Sequence, residues 1–502
     1  MPPAAPTTSR RARRPQAPAM RFDQRLVLNQ WILGLFEADS FIPLTDGLHD
    51  TALEGVDENN VSRFHHVIAA RLFPRQQMNK DLLLAYDQNI VRHTQTISAR
   101  RGELLRWKYF QYLGLLFTEI YLDRYFRDAE QLMDDLNDHI AKFNLDKADR
   151  DQIKPFVADD LRKLAFWSAT GSGKTLLMHV NICQYRHYLK LHGREREVNR
   201  TILLTPNEGL SRQHQQEFAA SGIEAEIFSK ESTGLFAGHS VEILEITKLT
   251  EDSGDKTVAV DAFEGNNLVL VDEGRRGAGG FKWKNNRDRL CEKGFSFEYS
   301  ATFSQALKAA NKPELTEEYA KCVLFDYSYK YFYRDGFGKD YRILNLADDR
   351  DEETRRLYLT ACLLAFYQQV LLYKNEERAF RPFLIEHPLW ILVGSKVNAV
   401  RLNENRENAS DVVDVLLFLA EFVQGDAESV RRIARLLSGN TGLLNTNGND
   451  IFRNAFTYLD GRNLSPEEIF ADVLKKVFNA PGKGALHVHH FRALPLINNI
   501  SM

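Results

Sequence analysis

Residues 164–175 read Leu-Ala-Phe-Trp-Ser-Ala-Thr-Gly-Ser-Gly-Lys-Thr, an apolar run that breaks into glycines and ends in Gly-Lys-Thr. Gly171 and Gly173 allow backbone conformations that a Cβ forbids, so successive N–H groups can turn inward around a polyphosphate. Lys174 then reaches the β- and γ-phosphates, and the Thr175 hydroxyl holds Mg²⁺. The residues after Thr175 support a helix over 176–189, whose positive N-terminus faces the anion. Ser168 stands where the strict pattern has a small residue, usually Gly. The competing reading is a plain glycine turn ahead of a surface helix. Strand, loop and helix in this order point to an α/β fold.

The chain has 502 residues, room for two to four domains, and 44% hydrophobic residues to fill their cores. A formal charge of −3 excludes no class of partner, because a near-neutral total can hide a basic groove. Cys183, Cys291, Cys322 and Cys362 lie far apart, without the paired spacing of a zinc site or a disulfide framework. A reducing, cytoplasmic setting fits them. No apolar run is long enough to span a bilayer; even residues 357–373 are broken by Thr360, Gln368 and Gln369. Residues 1–19 carry Arg10, Arg11, Arg13 and Arg14 among Pro and Ala, and read as a disordered basic tail or an arm that touches nucleic acid.

Residues 20–154 have apolar positions at helical spacing, notably over 24–37, 103–127 and 129–143. Gln111 there has two readings. It is the end of a core helix, or its amide faces adenine, donating to and accepting from the base edge. Past the glycine loop, a strand over 200–205 leads through Thr205-Pro206-Asn207 into an amphipathic helix to Phe218. Further strands are expected at 224–228, 242–246, 267–272, 295–300 and 321–325. Strands alternating with helices predict a mostly parallel sheet with ligands at the strands' carboxyl ends.

Two strand ends carry chemistry. The run Leu268-Val-Leu-Val ends in Asp272-Glu273. Asp272 can hold Mg²⁺ opposite Thr175 while Glu273 orients and deprotonates an attacking water; alone, the pair is a common solvated turn. The loop over 274–280 holds Arg275 and Arg276, which either sense phosphate or solvate the turn. The strand over 295–300 ends in Ser300-Ala301-Thr302. Those hydroxyls either cap the next helix, with Thr302 as the cap, or bond the Asp272-Glu273 carboxylates and transmit hydrolysis. Lys282, Trp283 and Lys284, with Arg287 and Arg289, read as a strand clamp or as a solvated charged loop.

In order, Ala-Thr-Gly-Ser-Gly-Lys-Thr, Thr-Pro-Asn, Val-Asp-Glu-Gly and Tyr-Ser-Ala-Thr-Phe resemble the superfamily 2 DEAD/DEAH-box helicases, most closely the Res subunits of type III restriction enzymes and related bacterial defence helicases. The resemblance implies a P-loop NTPase fold, a RecA-like parallel sheet flanked by helices. It implies ATP and Mg²⁺ at Thr170, Gly171, Ser172, Gly173, Lys174 and Thr175, with Gln111 on the adenine. Asp272 and Glu273 complete hydrolysis with Lys174, the metal falling to Thr175 and Asp272. Ser300 and Thr302 couple hydrolysis to motion, and Thr205, Pro206 and Asn207 touch the nucleic-acid backbone. Arg275 stands where the family usually has His or Asp.

The expected layout is a tail over 1–19, a helical region over 20–154, a RecA-like domain over 155–340, and a partial second RecA-like domain with a helical insertion over 341–502. In the last of these, residues 387–396 read as a buried strand, residues 411–424, 427–437 and 466–478 as helices, and residues 484–490 as strand-like. His487, His489 and His490 read as ordinary strand residues or as a metal site. No candidate appears for the arginine that completes the ATP site in the family, so a shortened member is expected. The function implied is an ATP-dependent helicase or translocase on DNA, duplex rather than single-stranded, in restriction or phage defence. A methyltransferase or nuclease subunit is the implied partner, and no membrane. The rivals are a truncated, non-catalytic, nucleotide-responsive DNA-binding or scaffold protein that needs a partner chain, and a P-loop kinase or transporter ATPase.

Overall fold

Six of the runs between turns become strands of five or six residues, and with one three-residue neighbour they form one seven-stranded sheet. In chain order these are β1 (Lys163–Ser168), β2 (Thr201–Thr205), β3 (Ala225–Ile227), β4 (Val241–Glu245), β5 (Leu268–Asp272), β6 (Phe295–Ser300) and β7 (Val323–Tyr327). They lie in the order β3-β4-β2-β5-β6-β1-β7, and every pairing is parallel. All residues of β2, β5, β6 and β7 are buried, as expected of a parallel sheet covered on both faces. The computed structural model describes residues 20–71, 78–228, 240–250, 258–259, 263–273, 285, 287–348, 350–381, 385–393, 411–425 and 427–486. The expected tail over 1–19 lies outside them. The chain divides into two compact units, Met1–Lys339 and Asp340–Met502.

Register brings the informative strand ends together. Asp272 pairs with Tyr299, and Trp167 with Ser300, so β5, β6 and β1 finish side by side at one edge.

The helices before the sheet share its core. Helices Lys80–Arg101, Tyr109–Arg127 and Ala129–Asn144 contribute Leu83, Leu113, Phe117 and Leu136 to the same cluster as Leu164, Leu270 and Phe325. Near the start of the chain, the buried Asn29 amide donates to the Leu324 carbonyl in β7, at 2.8 Å. Residues 20–154 are thus the outer layer of the sheet.

One network of polar groups buried between the layers is fully connected. Glu119, wholly buried, accepts from Tyr188 (2.7 Å), Gln184 (2.8 Å) and Asn89 (3.2 Å). Gln184 also accepts from Asn181, which accepts from Tyr299 of β6 at 2.6 Å. The chain of bonds ties Tyr109–Arg127 to the helix Lys174–Leu191 and on to β6. Burial pushes the Glu119 carboxyl up to about 7, and the bonds from Tyr188, Gln184 and Asn89 offset part of that rise. Between its ordinary value and about 7, the folded chain holds a proton that the unfolded chain has released, so this group's stability contribution falls as pH rises. Glu119→Gln cannot lose that proton. Relative to the parent, its unfolding free energy is expected to gain up to about 3 kcal/mol between pH 5 and pH 8. A difference that stays constant across that range would refute the assignment.

The second unit packs helices Glu352–Asn375, Asp411–Gln424, Ala427–Leu437 and Pro466–Lys476 around Leu364, Tyr367, Phe422, Leu436 and Val473. The last helix starts at a reciprocal cap: Ser465 Oγ accepts from the Glu468 N–H, and Glu468 accepts from the Ser465 N–H. Among the described residues this unit has no strand, only an isolated bridge between Leu444 and Asp450. The expected strand over 387–396 is corrected accordingly. His387–Val393 runs unpaired, with Leu389 and Val393 78% and 87% exposed, because no described strand lies beside it to complete a ladder. A second RecA-like sheet therefore has no strand among the described residues. Residues 394–396 and the three histidines lie outside them. No described helix is long and apolar enough to cross a membrane, no described residues group as a metal site, and all four cysteines are free thiols.

Candidate nucleotide site

The chain leaves β1 at Ser168, whose neighbour Ala169 donates its N–H to the Tyr327 carbonyl at 3.0 Å, and turns through Gly171 and Gly173 into helix Lys174–Leu191. Both glycines have φ of +87°, in the left-handed region. At Gly173 the requirement is also steric, since a Cβ would lie 2.4 Å from Gln111 Nε2. Thr170 and Gly171 are exposed, Ser172 is buried, and Thr175 is half-buried on the first helical turn.

Gln111 stands against this loop although 61 positions separate it from Ser172. Its Nε2 donates to the Ser172 carbonyl at 2.9 Å, and its Oε1 accepts from the Lys108 N–H at 2.9 Å. A carboxamide has two donor hydrogens and two acceptor lone pairs. One of each is used here, and one of each remains.

Lys174 Nζ lies 2.8 Å from Glu273 Oε1 and 3.4 Å from the Ser168 carbonyl. Glu273 follows β5 with φ of +49°, and its N–H donates to the Tyr299 carbonyl at 3.0 Å. That backbone state is uncommon for a non-glycine residue. It is held there by β6, which also supplies Ser300 Oγ to Glu273 Oε2 (3.1 Å) and the Ala301 N–H to Oε1 (3.3 Å). Thr302 lies behind: its N–H donates to Ser300 Oγ at 3.1 Å, and its hydroxyl is 3.4 Å from that of Ser300. The Thr302 side chain does not cap the helix Phe303–Ala310, so of its two sequence readings the plain cap is not the one formed.

Asp272 accepts at Oδ2 from His214 Nε2, 2.9 Å away, while its Oδ1 is buried without a partner among the described residues. A buried carboxylate oxygen left open beside a phosphate-type loop suits a divalent cation. Sequence reasoning missed His214. It is 2% exposed on helix Glu208–Ala220, on the buried face with Ser211 and Phe218. Their spacing of three and four residues was the available signal.

The segment expected to touch nucleic acid is split. Thr205 is 1% exposed, and its hydroxyl lies 2.7 Å from that of Ser211. Pro206 is half-buried and Asn207 exposed, its Oδ1 capping the helix at the Leu210 N–H (3.0 Å). Arg275, Arg276 and residues 282–284 lie outside the described residues. Arg287 overturns both of its sequence readings. It is 1% exposed and bonded to Glu298, Tyr319 and Glu318, because a buried guanidinium is tolerated only when paired.

Residues 130–305 match the family described as type III restriction enzyme, res subunit, a family of helicase superfamily 2. The span takes in β1 to β6, the glycine loop, Asp272-Glu273 and Ser300-Thr302; Gln111 precedes it and β7 follows it. No curated protein matches the chain. The fold is that of a P-loop NTPase, and the family implies nucleotide binding with a divalent metal in a helicase-like ATPase.

Proposed function

Starting from a chain whose residues 130–305 form a Res-type superfamily 2 domain, we propose that this protein is an ATP-dependent translocase or helicase acting on duplex DNA, in restriction or phage defence. One observation carries the reading: Lys174, Glu273 and Ser300, drawn from three strand ends, form one contact chain beside the open Asp272 Oδ1.

The Lys174 ammonium is paired with Glu273, so an incoming polyphosphate takes over the role of counter-charge. Freed from Lys174, the Glu273 carboxylate keeps its Ser300 and Ala301 bonds and is oriented to accept a proton from water. Thr175 and Asp272 would hold Mg²⁺, which neutralises phosphate charge when bound. His214 fixes the Asp272 carboxylate by occupying its other oxygen. Ser300 senses whether Glu273 is engaged, and Thr302 extends that contact towards the next helix. Gln111 reads the adenine with its remaining donor and acceptor. Asn207, exposed at a helix start, is the side chain of its segment best able to meet a DNA phosphate. A modification or nuclease subunit is the natural partner for such a motor.

The test is steady-state ATP hydrolysis by the purified chain, with and without duplex and single-stranded DNA. Turnover stimulated by duplex DNA is expected. Lys174→Ala loses a charge-assisted phosphate contact, and its ATP affinity is expected to fall about 10- to 100-fold. Turnover indifferent to every nucleic acid would refute the motor reading.

A further inference from the structure

The segment that follows β7 is not accounted for by the chemistry above. Helix Tyr329–Arg334 is short and aromatic, and it ends at Gly336, whose φ of +81° folds the chain back so that the Phe337 and Gly338 N–H groups both reach the Phe332 carbonyl, at 3.1 and 3.2 Å. The turn lays Phe337 against Phe332, with ring centroids 5.6 Å apart.

These rings sit at the glycine loop. A Cβ on Gly171 would lie 3.7 Å from the Phe332 ring, in ordinary van der Waals contact. Phe110, the neighbour of Gln111, stacks on Tyr327 (3.9 Å, 6°) and meets Phe337 at 5.8 Å. The loop thus touches the Gln111 amide at Ser172 and an aromatic ring at Gly171. Phe337 is nonetheless 43% exposed.

The segment is anchored. The Asp335 side chain, 3% exposed, accepts from the hydroxyls of Tyr109 and Tyr327, the latter at 2.7 Å. Tyr109 opens the Gln111 helix and Tyr327 ends β7, so a single carboxylate locks the aromatic turn to both.

We infer that Phe332 and Phe337 form a stacking platform for the base of the bound nucleotide, beside the loop that Gln111 also contacts. The inference rests on the nucleotide-binding reading above and adds the residues that hold the base. Aromatic faces serve this purpose because every base offers a π-face, the larger purine the more, and stacking contributes on the order of 1–3 kcal/mol per base. Both phenylalanines lie beyond the segment that matches the family.

The experiment is calorimetric titration of the full chain with ATP, CTP and inorganic tripolyphosphate. The parent is expected to bind ATP more tightly than either of the others. In Phe332→Ala/Phe337→Ala, ATP binding should weaken about 10- to 100-fold while tripolyphosphate binding is unchanged. Phe332→Tyr should retain ATP binding. A parent that binds ATP and tripolyphosphate alike would overturn the platform and leave the phosphate loop standing. A parent that binds neither would overturn both. Equal weakening of ATP and tripolyphosphate in the double variant would also overturn the platform, by making the segment a support for the loop.

Discussion

Glu273→Gln is expected to stop hydrolysis while tightening nucleotide binding. The carboxylate is the proposed base, and a positioned general base contributes typically about 10²–10⁴-fold to a rate. The amide cannot take the proton, but its one oxygen can still accept from the Ala301 N–H while its NH2 donates to Ser300 Oγ, so the site should keep its shape. Binding should improve for a separate reason. Lys174 is paired with Glu273 at 2.8 Å, and the phosphates must displace that partner. With the charge removed, Lys174 no longer has a competing anion, and the dissociation constant for ATP should fall several-fold. Single-turnover hydrolysis and equilibrium titration separate the two effects. A variant that hydrolyses at the parent rate would remove Glu273 from the chemistry; one that binds more weakly would show that the ion pair organises the loop.

Arg287→Ala should be the most destabilising substitution in the first unit. Arg287 and Lys163 share the buried carboxylate of Glu298, and Lys163 lies 2.9 Å from it. Removing the guanidinium leaves a charge imbalance and a void in the interior, where breaking a buried ion pair costs about 3–5 kcal/mol. Urea unfolding followed by intrinsic fluorescence measures it. Pairing the change with loss of the partner charge, as Arg287→Met/Glu298→Gln, should recover much of the loss, because the cost lies in the negative charge left in excess beside Lys163. A single-variant effect below about 1 kcal/mol would mean that solvent reaches the cluster.

These two residues also show what a sequence makes legible. The Lys174, Glu273 and Ser300 positions could be read because each lies at the end of an apolar run, where strand chemistry dictates the placement, and the parallel sheet then sets the ends side by side. Arg287 could not. A charged stretch reads as solvated unless its partners are known, and Glu298 and Glu318 come from another strand and helix. Gln111 was readable as an amide suited to adenine, but its contact with the loop depends on a helix packing across 61 positions. His214 was hidden because a histidine on an apolar face gives no sign of the carboxylate beneath it. Residues 387–393 misled in the opposite direction: an apolar run satisfies strand periodicity without supplying the neighbouring strand it requires.

The bond from Asn29 to Leu324 closes a loop of 295 positions, and it sets a schedule for synthesis. At about 5–20 residues per second, roughly 15–60 s pass between emergence of the first helix and emergence of the edge strand that receives it. Throughout that interval the apolar face of the early helices, Trp31 and Phe117 included, lacks the sheet that finally covers it. Nucleotide capture cannot precede the arrival of β7, because the Tyr327 carbonyl that receives Ala169 at the mouth of the loop is among the last parts of the unit to be made.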